Sequence, residues 1–197
     1  MRIKDWKLKT QLYTVFGIVV SLTLLLFGVS VHQAYQMADQ LDKVYEHPMT
    51  VKTALYEIET AMLDSGIELR NLTDPDNAEY EEDMIARIQL DYLHLEESLA
   101  IIHTAYLGPS TDIDAIEEAY VVWRAYRDTT ISMCLEGDYE GAKDRLLPQG
   151  VGESYRLELM NTVQVVEDYA NGVTQEVYSQ FQTLFSQLMV NLSAIVI

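Results

Sequence analysis

Apolar residues recur every three or four positions along four long stretches of the chain. This spacing places one apolar stripe on each α-helix and is typical of helices that cross at about 20° in a bundle. No alternation of apolar and polar residues with a period of two stands out, so the pattern predicts an all-α, antiparallel four-helix bundle. The stripes are Val51, Leu55, Ile58, Met62, Ser65, Leu69 and Leu72; Met84, Ile88, Tyr92, Leu95, Leu99, Ile102 and Tyr106; Ile113, Ile116, Tyr120, Trp123, Arg127, Thr130 and Cys134; and Leu159, Val163, Val166, Ala170, Val173 and Val177.

Turn-forming segments divide these stretches into separate helices. The segments TDPDN, GPSTD and EGDYEGAKDRLLPQGVG predict helices over roughly 34–72, 77–106 and 112–136, and a last helix from about residue 153 onwards. Thr111 or Asp112 is expected to cap the third helix. His47 before Pro48 predicts a kink or a restart of the first helix, because proline lacks the N–H that a helix needs. Short loops make neighbouring helices antiparallel.

The two ends of the chain carry apolar segments that fit a membrane. The run from Leu12 to Val31 has no charged residue and matches the roughly 20 residues that cross a bilayer. A cleaved signal peptide also begins basic and then becomes apolar, but this run is longer than a typical signal core. We therefore predict a transmembrane helix over residues 12–33. Residues 185–197 also lack charge, and we expect them to begin a second, incomplete transmembrane helix.

Charge predicts the orientation of the chain in the membrane. The chain has a net charge of −18, whereas residues 1–9 hold four basic residues and one acidic residue. The positive-inside rule then predicts a cytoplasmic basic tail over residues 1–11 and an extracytoplasmic bundle over residues 34–184. The membrane is expected to be the inner (plasma) membrane. So acidic a bundle is not expected to bind nucleic acid or an anionic lipid surface.

Arg127 occupies a stripe position, where a hydrophobic residue is expected. Burial of an arginine without an anionic partner is very costly, so we predict a partner for it. One alternative is a carboxylate of a neighbouring helix. The other is a bound anion, to which Arg124 and Arg70 beside the core could contribute, because alternating helix directions bring Arg70 and Arg127 to the same half of the bundle. Trp123 is a core residue in the first alternative and a ligand platform in the second.

The sequence carries no pattern that is typical of an enzyme or a metal site. A glycine-rich phosphate loop, a haem-attachment motif and a catalytic triad are all missing from it. Di-iron bundles use repeated Glu-x-x-His motifs, but here Asp91-x-x-His94 occurs once, so we expect a solvated His94. Cys134 is the single cysteine and cannot form an internal disulfide. We predict no catalytic residue, no metal and no cofactor.

Three segments resemble the four-helix-bundle sensor domain of bacterial methyl-accepting chemotaxis proteins and related transmembrane sensor kinases and diguanylate cyclases. His47, Pro48 and Val51 match the His-Pro-x-x-Val start of one branch, and Trp123 and Arg127 match a tryptophan and an arginine of its third helix. The segment LEGDYEGAKDRLLPQG resembles the Gly-x-x-x-x-Ala segment that follows. The resemblance extends over nearly the whole chain.

The resemblance implies a ligand-sensing module that passes a conformational signal through its last helix to a cytoplasmic output domain. It also implies a homodimer, with a small-molecule ligand in the membrane-distal half of the bundle. Receptors for aspartate and serine hold the ligand with several arginines of the first helix, whereas this helix has only Arg70 beyond the membrane. The amino-acid ligand of those receptors is therefore not carried over to this chain. The alternative function is a membrane-tethered structural module that only dimerises or spaces other parts.

Overall fold

The computed structural model describes residues 8–196. In this range the chain is helical throughout, apart from short connections, and contains no strand. Most of the predicted basic tail, and Ile197 at the end of the predicted second membrane segment, lie outside the described residues. The helices are α1 (Leu8–Val44), α2 (Thr50–Leu72), α3 (Glu81–Ala105), α4 (Ser110–Leu135), α5 (Tyr139–Arg145) and α6 (Val151–Val196).

The chain divides into two compact units. One comprises Tyr45–Thr174, and the other comprises residues 8–44 and 175–196 of the described part. The first unit is the predicted four-helix bundle, which is built from α2, α3, α4 and the beginning of α6, with the short α5 between the last two. The all-α fold class is confirmed.

The core of the bundle consists of the predicted stripes. Ile58, Leu69, Ile88, Ile116 and Leu159 have no exposed surface, and nearly every other predicted position is also buried. Burial of each such side chain contributes about 1.5–3 kcal/mol to folding. The four facing stripes therefore hold the bundle together and fix the rotation of each helix about its axis.

Tyr106 departs from this pattern, because it follows the last residue of α3 and is only partly buried. Its hydroxyl donates a hydrogen bond of 2.6 Å to a carboxylate oxygen of Asp112. Neither Asp112 nor Thr111 caps α4, so that prediction was wrong: the helix begins at Ser110, and Pro109 precedes it without a side-chain cap. The contact with Tyr106 engages the carboxylate that was expected to cap the helix.

The junction between α1 and α2 is a π-helical turn over Tyr45–Met49 that contains Pro48. Such a turn accommodates a proline, whose missing N–H leaves one carbonyl of the preceding turn without its helical donor. The side chain of His47 reaches the end of α3, where its Nδ1 lies 3.3 Å from the carbonyl oxygen of Ala105. The predicted irregularity at this position is confirmed.

Among the described residues, one segment, Leu8–Asp39, is long and apolar enough to cross a membrane, and its most apolar 18 residues have a mean hydropathy of 2.4. This segment contains the transmembrane helix that was predicted over residues 12–33. The start of a second transmembrane helix at residue 185 stays a prediction.

Candidate functional site

A small open cavity lies at the end of the bundle where α2 ends and α6 begins. Its volume is about 100 Å³, and residues of α2, α4, α5 and α6 form its walls. Four arginines and one glutamate line it: Arg70, Arg127, Arg145, Arg156 and Glu153. The cavity is therefore cationic, although the chain as a whole carries a net charge of −18.

Arg127 lies on the inner wall and is only 6% exposed. Its Nε donates a hydrogen bond of 3.3 Å to the hydroxyl oxygen of Tyr92, and its Nη2 donates to the backbone carbonyl of Ser65. The guanidinium also lies over the ring of Trp123, 4.4 Å from its centroid. The partners of Arg127 on α2 and α3, the carbonyl of Ser65 and the hydroxyl of Tyr92, are therefore uncharged.

A salt bridge, the first of the two alternatives for Arg127, is not formed among the described residues. Within residues 8–196 no carboxylate lies within 4.0 Å of its guanidinium nitrogens. That interpretation was wrong, because the positions that face Arg127 on the neighbouring stripes are Ser65 and Tyr92 rather than acidic residues. Burial lowers the pKa of Arg127 below its ordinary value, since the charged form loses hydration, and Tyr92 and the more distant Asp91 oppose this shift only in part.

Arg145 connects α5 to α4 beside this cation. Its guanidinium lies 3.9 Å from the centroid of the Tyr126 ring, and its Nε donates a hydrogen bond of 3.0 Å to the hydroxyl of Thr130. Its Nη2 donates to the backbone carbonyl of Tyr126, and the Tyr126 hydroxyl donates back to the carbonyl of Arg145 at 2.8 Å. These reciprocal contacts hold Arg145 at the cavity. In the described part of the chain Arg145 forms no ion pair.

The first turns of α6 contribute an ion pair. Nε and Nη2 of Arg156 donate to the two carboxylate oxygens of Glu153, at 2.8 Å and 2.6 Å. These hydrogen bonds lower the pKa of Glu153. Glu153 is the one acidic residue among the described residues that line the cavity. Arg70, in the last turn of α2, is exposed and forms no ion pair within residues 8–196.

Three of the four residues predicted for ligand binding, Arg127, Arg70 and Trp123, line this cavity. The fourth, Arg124, lies elsewhere: it pairs with Glu96, and its guanidinium is 4.9 Å from the centroid of the Tyr92 ring.

Sequence analysis missed two arginines of the cavity. Arg145 lies in the segment that resembles the family's Gly-x-x-x-x-Ala segment, and Arg156 follows Glu153 by three residues at the start of a helix. A glutamate and an arginine three positions apart on a helix often form an ion pair, so this spacing could have predicted the pair in the first turns of α6. The other clue was the scarcity of basic residues in this chain, which draws attention to each arginine.

A second, acidic groove of about 470 Å³ runs between α2 and α3, with Asp64, Asp91, His94 and Glu97 among its lining residues. His94 is exposed there. The described residues contain no group of three or more histidine, cysteine or acidic side chains that is arranged to hold a metal ion. The groove is therefore most simply a solvated surface between two helices.

The family model of a four-helix-bundle sensory module for signal transduction matches residues 5–185. The chain belongs to this family. The match spans nearly the whole chain and confirms the resemblance that the motifs indicated. It identifies the module as a sensor domain of signal transduction, a type that is typically not catalytic. Comparisons of the sensory module with curated proteins and with solved structures give no match.

Proposed function

We propose that this sensory module is the extracytoplasmic, anion-sensing part of a transmembrane receptor. A small anion binds in the cavity around Arg127, and the resulting movement passes along α6 to a cytoplasmic output domain. One observation carries the proposal: Arg127 is buried without a carboxylate partner in the described structure, and three further arginines line the same cavity.

The charges of the cavity support an anion rather than a neutral ligand. A buried arginine that lacks a counter-ion costs free energy, and an anion that enters the cavity removes this cost. Guanidinium groups hold carboxylates and similar oxyanions through pairs of parallel hydrogen bonds, which fixes the geometry of the ligand as well as its charge. The volume of about 100 Å³ is suited to a small molecule. A structural spacer, the alternative function, has no need for such a cavity.

An anion is expected to stabilise the wild-type protein but not the Arg127→Met variant. A ligand at about 100 times its Kd adds about 2.7 kcal/mol to the unfolding free energy. Without added anion, Arg127→Met is expected to change stability by less than about 3 kcal/mol, because the Tyr92 hydroxyl loses a partner while a buried charge disappears. The measurement is a thermal-shift screen of sulfate, phosphate and small mono- and dicarboxylates on the full chain in detergent.

Arg124→Met is the matched control for this screen. It removes the same side chain three positions away, where Arg124 pairs with Glu96 outside the cavity, so the response to the anion should persist. The proposal is overturned if no anion stabilises the wild type. The decisive case is the one in which Arg127→Met also unfolds the protein without any ligand. Arg127 would then be a structural residue only.

The outer face of α2 supports a homodimer. Tyr56, Leu63 and Ile67 are 69%, 64% and 57% exposed, and their spacing of seven and four residues places them on one face of the helix. A second copy of this face would cover them in a parallel dimer, as in a coiled coil. We propose this arrangement together with a cytoplasmic basic tail and an extracytoplasmic bundle.

Cysteines introduced one at a time along α2 are expected to cross-link periodically in intact cells treated with a membrane-impermeant bifunctional reagent. Cross-linking should be strongest at Tyr56 and Leu63. A cysteine at Val121 on α4, which is 64% exposed, is the control and should be labelled without cross-linking. Equal cross-linking at every position of α2 would argue against the dimer, and failure to label position 121 would argue against the extracytoplasmic location.

A further inference from the structure

We infer that Glu153 is a built-in competitor of the ligand for Arg156, and that a small dianion displaces it and thereby moves the start of α6. This inference rests on the proposed anion-sensing function and adds to it a ligand class and a switching element. The proposed function requires only that an anion binds to Arg127. The inference adds that the carboxylate of Glu153 occupies part of the binding site until the anion displaces it.

The contact between Glu153 and Arg156 has the form that a ligand carboxylate would take. Two hydrogen bonds of 2.8 Å and 2.6 Å join the guanidinium to both carboxylate oxygens. The two side chains are 33% and 39% exposed, so water reaches the pair and screens it. A pair of this kind is held weakly enough to exchange for an anion that several arginines contact at once.

The charges that line the cavity indicate a dianion. Arg70, Arg127, Arg145 and Arg156 contribute four positive charges, and Glu153 is the single acidic residue among the described lining residues. When the carboxylate of Glu153 leaves Arg156, none of the four guanidinium groups is paired with a carboxylate that lines the cavity. A ligand with two negative charges compensates more of this charge than a monoanion does. Sulfate and small dicarboxylates have this chemistry in common.

The exchange acts directly on the first turn of α6, because this turn is packed against the cavity wall. A Cβ atom on Gly152 would lie 2.5 Å from Cε1 of Tyr126 and 3.0 Å from the carbonyl oxygen of Arg145. The ring of Tyr155 contacts Tyr126 edge to face, with 5.4 Å between the ring centroids. Because the turn packs this closely against Tyr126, an anion that takes the place of Glu153 beside Arg156 pushes on this turn, and a continuous helix carries the resulting shift along its axis.

The test compares the affinities of the wild type and of Glu153→Gln for sulfate and for malonate. The full chain in detergent micelles is titrated calorimetrically at constant ionic strength. Removal of the competing charge is expected to tighten the binding of either dianion about five-fold. This factor corresponds to the upper end of the free energies of exposed ion pairs. Glu158→Gln is the matched control, because it removes the same charge from an exposed site on α6 and should change the affinity by less than about two-fold.

A second measurement reports on the exchange itself. Carbon-13 NMR titration of the Glu153 carboxyl should show its pKa moving up, towards the ordinary value for glutamate, when sulfate replaces it on Arg156. Equal or weaker binding by Glu153→Gln, or an unchanged Glu153 pKa, would overturn the inference while leaving the anion sensor intact. If neither dianion binds but a monoanion from the screen does, the inference also fails alone. If no anion of any kind binds, the proposed function fails with it.

Discussion

Replacement of Trp123 by alanine is expected to lower the free energy of unfolding of the bundle by about 3–5 kcal/mol. The indole is only 2% exposed, and its ring contacts Tyr92 edge to face, with 5.9 Å between the centroids. It also lies beneath the guanidinium of Arg127. The truncation therefore leaves a cavity in the core and removes the aromatic face that stabilises a buried cation. Urea unfolding followed by circular dichroism measures the loss.

Trp123→Phe is the matched variant for this measurement. It keeps an aromatic ring beside Tyr92 and Arg127, so the expected loss is smaller, about 1–2 kcal/mol. If alanine and phenylalanine destabilised the bundle equally, the aromatic contacts of Trp123 would have no part in holding Arg127. A loss below about 1 kcal/mol for alanine would show that the indole is not packed in the core.

Ile88→Ala is expected to destabilise the bundle by about 2–5 kcal/mol, because the side chain is fully buried in the core and its truncation leaves a void. Ile88 has no exposed surface, whereas Leu93 on the same helix is 61% exposed. Leu93→Ala removes a similar side chain from the outer face and should change stability by less than about 0.5 kcal/mol.

The same urea unfolding experiment tests both variants of α3. Equal losses for the two substitutions would mean that α3 packs in a different rotation about its axis. In that case the position of Tyr92 beside Arg127 would also have to be revised, since Tyr92 lies one turn further along the same buried stripe. The pair of variants therefore checks the scaffold on which the cavity depends.

The bundle could be predicted from the sequence because its core is built almost entirely from residues three and four positions apart. Ile58, Ile88, Ile116 and Leu159 each belong to a stripe that is readable without any other information. Helix ends were less predictable. The carboxylate of Asp112 has the chemistry of a cap, but it accepts a hydrogen bond from Tyr106, and that contact depends on how α3 and α4 meet.

The candidate site could be predicted only in part. Arg127 stood out because a charged residue interrupts an apolar stripe, and Trp123 was found with it. Arg124 lies three residues from Arg127, but it is directed towards Glu96 on α3 instead of the cavity, and a stripe alone cannot decide between two neighbouring helices. Arg145 reaches the cavity through the packing of α5 on α4, which no periodic pattern encodes.

The two covalent connections of the Tyr45–Thr174 unit differ in stiffness. One is the π-helical turn with Pro48, and helices bend most easily at such turns. The other lies inside α6, which is unbroken from Val151 to Val196. Bending is therefore easier at the first connection than within α6. If an anion moves the bundle, as we propose, α6 is the connection that can carry the displacement without bending.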